Sequence, residues 1–320
     1  MGRSFLFALF VSLAAGGWYI SQHYEFVGLD QVRVVPIGEA SPSGTGGQVG
    51  APPARAPQGN AIRIASFNIQ MLGRKKMSKP EVVARLVDII RRFDVVAVQE
   101  VRSKYQDVVA RLVAAVNADG RHYDYVLGPR VGRTNQKEQF AFIFDTETLE
   151  VDRSQVYTIN DPSDLLHRPP LVAWFRVRGV DPDAAFTFLL VNVHNDPDEA
   201  AEELRWMPEV LRQVARSGKG EDDVILLGDF NAGTRQILAT FRRELRGTAT
   251  AIGATPTNTR MTKGYDNIVF TLPATSEFQG EAGVFDMLRT YNLSLQQALE
   301  ISDHNPVWAT FSALEGAGRL

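Results

Sequence analysis

A set of carboxylate, amide and imidazole residues falls where apolar runs of this chain begin or end: Asn68, Glu100, Glu138, His194, Asp229, Asn231, Asp266, Asp303 and His304. The ends of buried strands are where α/β sheets carry their chemistry. Oxygen ligands of the kind offered by Glu100, Asn68 and Asp303 suit a hard divalent cation. His194 and His304, each with carboxylates available nearby, supply a general acid and a general base near neutral pH. In-line displacement at phosphorus needs a deprotonated nucleophile, neutralised equatorial oxygens and a protonated leaving group, and this set provides for all three. A lone imidazole at a strand end is more often a structural hydrogen-bond partner, and His23, His122 and His167 take that reading or simple exposure.

The elements that must position this set are legible in the hydrophobic pattern. Residues 223–231 read Asp-Val-Ile-Leu-Leu-Gly-Asp-Phe-Asn, a continuous apolar run of the kind found in a strand buried on both faces. Asp229 and Asn231 follow it two positions apart, which in extended backbone turns both side chains to one side. Asp, Gly and Asn are also ordinary turn residues, so this stretch alone is equally a polar turn. Further strands are predicted from Ile62 to Asn68, from Asp94 to Val98 with Gln99-Glu100 after it, and over 140–144, 171–177, 186–193, 268–270 and 307–311. Helical spacing marks 80–92, 105–116, 198–216 and 234–245. Strands and helices alternate without one strict βα period, which predicts helices packed outside sheets of mixed direction.

Composition bounds the rest. The 320 residues carry a net charge of −3, 44% hydrophobic side chains and no cysteine. The charge gives no basic signature, so a nucleic-acid partner is not implied by it. The lack of cysteine excludes disulfides, zinc–thiolate sites and a thiol nucleophile. Residues 4–20 are uncharged and rich in Phe, Leu, Ala and Val after Arg3, the pattern of an export signal or an uncleaved membrane anchor, assigned to residues 1–22. An extended arm and a Gly/Pro-rich linker then occupy 23–60, because that tract lacks the apolar side chains needed to offset chain ordering. The folded domain is predicted at 61–320, outside the cytoplasm.

Six separated motifs bring these residues under one family. Ser66-Phe67-Asn68-Ile69-Gln70, Gln99-Glu100-Val101-Arg102, Val193-His194, Gly228-Asp229-Phe230-Asn231, Tyr265-Asp266-Asn267 and Ser302-Asp303-His304-Asn305-Pro306 follow the order and approximate spacing of the endonuclease/exonuclease/phosphatase family. The chain most resembles its deoxyribonuclease I branch, over about 61–312. The resemblance implies a four-layer α/β sandwich with two central mixed sheets, acting as a monomer that cleaves a phosphoester of DNA with Mg²⁺ and an activated water. Mn²⁺ is the alternative cofactor, and Ca²⁺ a structural ion. By motif, Glu100 is a metal ligand with Asn68 beside it and Asp303 assisting. Asp266 orients His304 as general base, Glu138 orients His194 as general acid, and Asp229 and Asn231 contact metal, water or phosphate. Arg102 and Arg168 resemble the branch's backbone- and groove-contacting arginines, with Arg130, Arg133 and Lys137 making a nearby loop basic. One departure is Gln136, which stands where that branch carries an aromatic minor-groove wedge. A phosphatase or phosphodiesterase of lipid headgroups or small phosphate esters is the rival reading; it would favour a lysine-rich pocket, and the sequence gives no clear one. A catalytically silent binding module would have lost a ligand or a histidine, and all are present.

Overall fold

The computed structural model describes residues 24–27, 33–36, 48–49, 60–133, 137–218 and 220–316, the first three segments as backbone only. The apolar segment 4–20, His23 and Gln136 lie outside the described residues, and no described helix is long and apolar enough to cross a membrane. The chain divides into units of residues 1–43 and 44–320. In the first, β1 (Tyr24–Val27) pairs antiparallel with β2 (Arg33–Pro36).

The second unit holds two mixed sheets. One has the strand order β12 (Thr248–Thr250), β13 (Asp266–Thr271), β11 (Val224–Asp229), β10 (Thr187–His194), β9 (Leu171–Val177), β8 (Leu149–Thr158). The other runs β3 (Gln48–Val49), β14 (Phe278–Val284), β15 (Val307–Ser312), β4 (Ala61–Leu72), β5 (Val95–Val101), β7 (Gln139–Asp145), β6 (Tyr123–Leu127). Strand alternation splits each buried run between two cores. Ile64, Val95 and Ala97 face Phe175, Phe188 and Ile225 of the opposite sheet, while Ala65, Val96 and Val98 face outward. There they meet α2 (Pro80–Ile90) and α3 (Asp107–Val116) through Leu86, Ile89, Val109 and Leu112. On the far side, Leu189, Val191 and Leu226 pack against α4 (Ala200–Ser217) and α5 (Thr234–Phe241) through Leu204, Met207 and Ile237. The result is the four-layer sandwich, helices outside two sheets, and burial on both faces explains the unbroken apolar runs.

Phenylalanines join the sheets. Phe142 meets Phe175 edge to face with centroids 5.7 Å apart, and Phe311 meets Phe270 in the same way at 5.7 Å. Each such ring, fully buried, contributes about 1.5–3 kcal/mol. Beneath the functional end the contact between sheets turns polar. Gln99 Nε2 donates to Asn192 Oδ1 at 2.7 Å, and Asn192 Nδ2 donates to the carbonyls of Val98 and Ala141 at 3.1 and 3.0 Å. All these groups are buried and paired, so this bridge fixes the sheets in register where the site is built.

Several elements differ from expectation. β4 continues past Asn68 to Leu72 across a bulge, where Asn68 pairs with Gln99 but Leu72 with Val101. The edge strands β6 and β8, the strand β14, the short β12, and the short helices α1 (Arg74–Met77), α6 (Met287–Thr290) and α7 (Leu295–Ile301) lacked a clear apolar period. The predicted helix over 234–245 stops at Phe241.

Candidate active site

The site assembles where strands of both sheets end together. Parallel pairing sets His194 beside Asp229, and antiparallel pairing sets Asp229 beside Asp266. Gly228 makes the first of these possible: its φ is +151°, and a Cβ there would lie 1.9 Å from the Val193 carbonyl oxygen. No other residue fits between the two strands.

Two histidine–carboxylate pairs flank Asp229. His304 Nδ1 is 2.9 Å from Asp266 Oδ2, and His194 Nδ1 is 2.7 Å from Glu138 Oε1. These bonds leave each Nε2 directed at one atom: Asp229 Oδ2 lies 3.5 Å from His304 Nε2 and 3.6 Å from His194 Nε2. Asn68 Nδ2 donates to the same oxygen at 3.1 Å and to Glu100 Oε1 at 3.3 Å. Its own Oδ1 accepts from Gln70 N at 3.0 Å, so Asn68 meets the two carboxylates as a donor. Thr257 Oγ1 holds Asp266 Oδ2 at 2.6 Å, and the Ser302 hydroxyl joins Asn68 O to His304 N.

Contacts with Asn68, Met71 N and Arg102 hold Glu100 on strained backbone. It sits at φ 61°, and across from it Gln70 and Met71 sit at φ 44° and 55°. The bulge thereby aims Met71 N at Glu100 Oε2, 3.0 Å away. Non-glycine residues rarely adopt this region, and such outliers gather at functional sites. Asn231 is also left-handed, at φ 47°. The extended-strand reading of Asp229 and Asn231 therefore fails: the chain turns between them, Asp229 Oδ1 accepts from Asn231 N at 2.9 Å, and Asn231 Nδ2 donates to Asn195 O at 2.8 Å.

Neither arginine is a free surface charge. Arg102 lies 3.2 Å from Glu100 Oε2 and 3.5 Å from Glu138 Oε2. Arg168 lies 3.4 Å from Glu138 Oε2 and 3.2 Å from Asp196 Oδ2. Both line a cleft of 610 Å³ with Glu100, His194, Asp229, Asn231 and His304. The loop beyond is less basic than its sequence suggests, because Arg133 pairs with Asp164 at 3.1 Å and Glu199 at 2.5 Å, and Arg130 donates back to Lys137 O. Lys137 itself is exposed.

Sequence reasoning missed several contributors. His167 lines the cleft, 3.7 Å from Asp196, whereas His122 is exposed beside Glu147 as expected. Buried Glu203, in the first turn of α4, accepts from His167 N and Asp196 N and so holds the loops that carry Arg168 and Asp196. Lys76 donates to Ile69 O at 2.6 Å and Ile301 O at 2.5 Å. Burial lowers its pKa to about 8 against the pull of Asp303 and Glu100.

Acidic donors suited to a metal are present. Asp229, Asp266 and His304 offer ligand atoms within 4.8 Å of one another. Asp266 Oδ1 and Asp303 Oδ1 are buried without a hydrogen-bond partner, and Asp303 Oδ1 is 4.0 Å from His304 Nε2. Orphaned carboxylate oxygens of this kind fit a hard cation.

Burial disfavours charge throughout the site, yet the pairs prevail. Glu138 and Asp229 raise His194, and Asp266 and Asp229 raise His304 well above its usual value. The histidines in turn depress Glu138 and Asp229. Asp266 is raised, by burial and then by Asp229 against the pull of His304. A histidine raised on folding stabilises fully below its unfolded value of 6.5 and loses that contribution as pH climbs through the folded value. A depressed carboxylate stabilises above its unfolded value of 4.5 or 3.8 and loses it as pH falls. The raised carboxyl of Asp266 acts in the same sense as the histidines, so the metal-free protein should lose stability as pH climbs above about 6.5. Thermal scans in chelator across pH 3–9 check this; a Tm still rising above neutrality would contradict the pairing.

Residues 65–304 match the endonuclease/exonuclease/phosphatase family. The chain belongs to that family. It is a hydrolase acting on phosphoester bonds. It is 31% identical to deoxyribonuclease-1 of Bos taurus over 267 residues, 79% of this chain and 93% of the bovine one. With deoxyribonuclease gamma of Rattus norvegicus it shares 29% over 262 residues, 77% of this chain and 83% of that one. Solved structures share the fold: the human Nocturnin catalytic domain with bound sulfate has a TM-score of 0.54 at 18% identity, covering 79% of this chain and 94% of that chain. A mannosyl-6-phosphatase of Bacteroides thetaiotaomicron has a TM-score of 0.52 at 15% identity, covering 78% of this chain and 98% of its own.

Proposed function

We propose that this chain is a Mg²⁺-dependent DNA endonuclease, with residues 61–320 as the catalytic domain and the apolar segment 4–20 as its export signal or anchor. The observation that carries the reading is the aim of two carboxylate-held imidazoles at one oxygen of Asp229, 3.5 and 3.6 Å away. Such a pair can take a proton from a water on one side of a phosphate and return one to the leaving oxygen on the other.

His194 is the acid. Glu138 fixes its Nδ1 and, with Asp229, raises its pKa against the effect of burial, in the direction an acid needs. His304, fixed by Asp266, is the base. Glu100 and Asp303 would hold the cation, Asp229 and Asp266 offer further ligand oxygens beside them, and Asn68 positions Glu100 through its amide. A cation held there would supply positive charge against the phosphate and against the carboxylates that raise His304. Asn231 and Asp229 face the phosphate. Arg102 and Arg168, anchored through Glu138, give the cleft a fixed positive wall for a phosphodiester backbone.

The likeness to the two deoxyribonucleases supports DNA over other phosphoesters. The test is a substrate panel on the purified full chain, with and without Mg²⁺: supercoiled plasmid, single-stranded RNA, a generic phosphodiester and an inositol phosphate. Metal-dependent nicking of plasmid is the expected result. Intact plasmid alongside hydrolysis of the inositol phosphate would reject DNA and favour the headgroup or small-ester reading.

A further inference from the structure

A second acidic group lies at the opposite end of β11 from Asp229, roughly 20 Å away at ~3.3 Å per residue. Asp223 precedes β11, Glu277 precedes β14, and Glu315 follows β15, so the group draws on both sheets. Ligand atoms of the three carboxylates lie within 4.8 Å of one another. That span is no more than the separation of two oxygens on opposite sides of one Ca²⁺, about twice 2.4 Å.

Acidic clusters are common on protein surfaces, but this one is mostly interior. Asp223 and Glu277 are each 1% exposed. Asp223 Oδ1 and Glu277 Oε2 are buried without a hydrogen-bond partner. The remaining oxygen of Glu277 is occupied: Oε1 accepts from Ser276 Oγ at 3.1 Å and from Gly316 N. That leaves the orphaned Oε2 as its free donor. The charged groups acting on Asp223 are all acidic, namely Glu277, Glu315 and Glu221, and burial with their repulsion pushes its carboxyl up to about 9.

We propose that Asp223, Glu277 and Glu315 form a binding site for a divalent cation of the Ca²⁺ class, which ties β11 of one sheet to the ends of β14 and β15 in the other. The donors are all oxygens, which disfavours ions that seek nitrogen or sulfur. They come from irregular segments and not from one rigid frame, which suits the flexible coordination of Ca²⁺ better than the strict octahedron of Mg²⁺. Glu315 also lines an open pocket of 470 Å³ with Glu221 and Trp174, giving a path for the ion and room for water ligands.

The test uses the full chain stripped with chelator, together with Glu277→Gln and Glu315→Gln. Each is titrated with Ca²⁺ by calorimetry and with Tb³⁺ by luminescence sensitised through Trp174. Wild type should bind one Ca²⁺ more than either variant, and the variants should lose Tb³⁺ emission at least tenfold. Saturating Ca²⁺, a hundredfold over Kd, should raise the wild-type Tm by roughly 5–10 °C beyond the rise in Glu277→Gln. Glu315 lies at the exposed rim, so Glu315→Gln decides the matter if Glu277→Gln fails to fold. Equal stoichiometry and equal emission in wild type and Glu315→Gln would overturn the proposal and leave the cluster as carboxyls that share protons.

Discussion

Replacing His304 with alanine is expected to lower kcat/KM for phosphodiester cleavage by about 10²–10⁴-fold, the range of a positioned acid or base. The substitution removes the only Nε2 that Asp266 directs at Asp229 Oδ2. It should cost less in fold than in rate, because burial and Asp229 already push the Asp266 carboxyl up, which lightens the penalty of leaving it without its histidine. Steady-state kinetics paired with thermal melts separates the two effects. A variant that keeps its rate while losing stability would make His304 structural.

Glu138→Gln is expected to damage stability and rate together. The Glu138 side chain is fully buried and serves three cations at once: His194 at 2.7 Å, Arg168 at 3.4 Å and Arg102 at 3.5 Å. Removing one partner of a buried ion network costs about 3–5 kcal/mol because uncompensated charge stays behind. In a domain of this size that is a fall in Tm of roughly 10 °C. The rate should fall by about 10²–10⁴-fold, since His194 loses the bond that fixes its tautomer and its proton. Glu138→Asp, which keeps the charge, should recover stability better than rate. Equal recovery of both would mean that Glu138 only neutralises the arginines.

The site was legible to the degree that its residues sit on strand ends. His194, Asp229 and Asp266 are neighbours by strand pairing, and buried strands announce themselves as apolar runs. Family motifs placed Glu138, which no periodicity would have tied to a histidine 56 positions away. What stayed hidden depended on backbone conformation and on loops. The left-handed turn at Asn231 reads as an extended pair until φ is known. Glu203 looks like any first-turn glutamate, and only the fold shows its two oxygens holding the loops of His167 and Asp196. By resemblance Arg102 and Arg168 are outward contacts, yet both are drawn inward by one carboxylate. Asp223 carries no signal in the sequence, because its companions Glu277 and Glu315 lie far along the chain.

In the proposed reaction the two imidazoles act as one unit through Asp229. The most direct test is Mg²⁺-dependent nicking of supercoiled plasmid by wild type, His194→Ala, His304→Ala and the double variant, each checked for folding. Residues acting as a unit are non-additive, so both single variants and the double should fall to a similar floor. Losses that multiply in the double variant, or a single variant that nicks at the wild-type rate, would contradict the account.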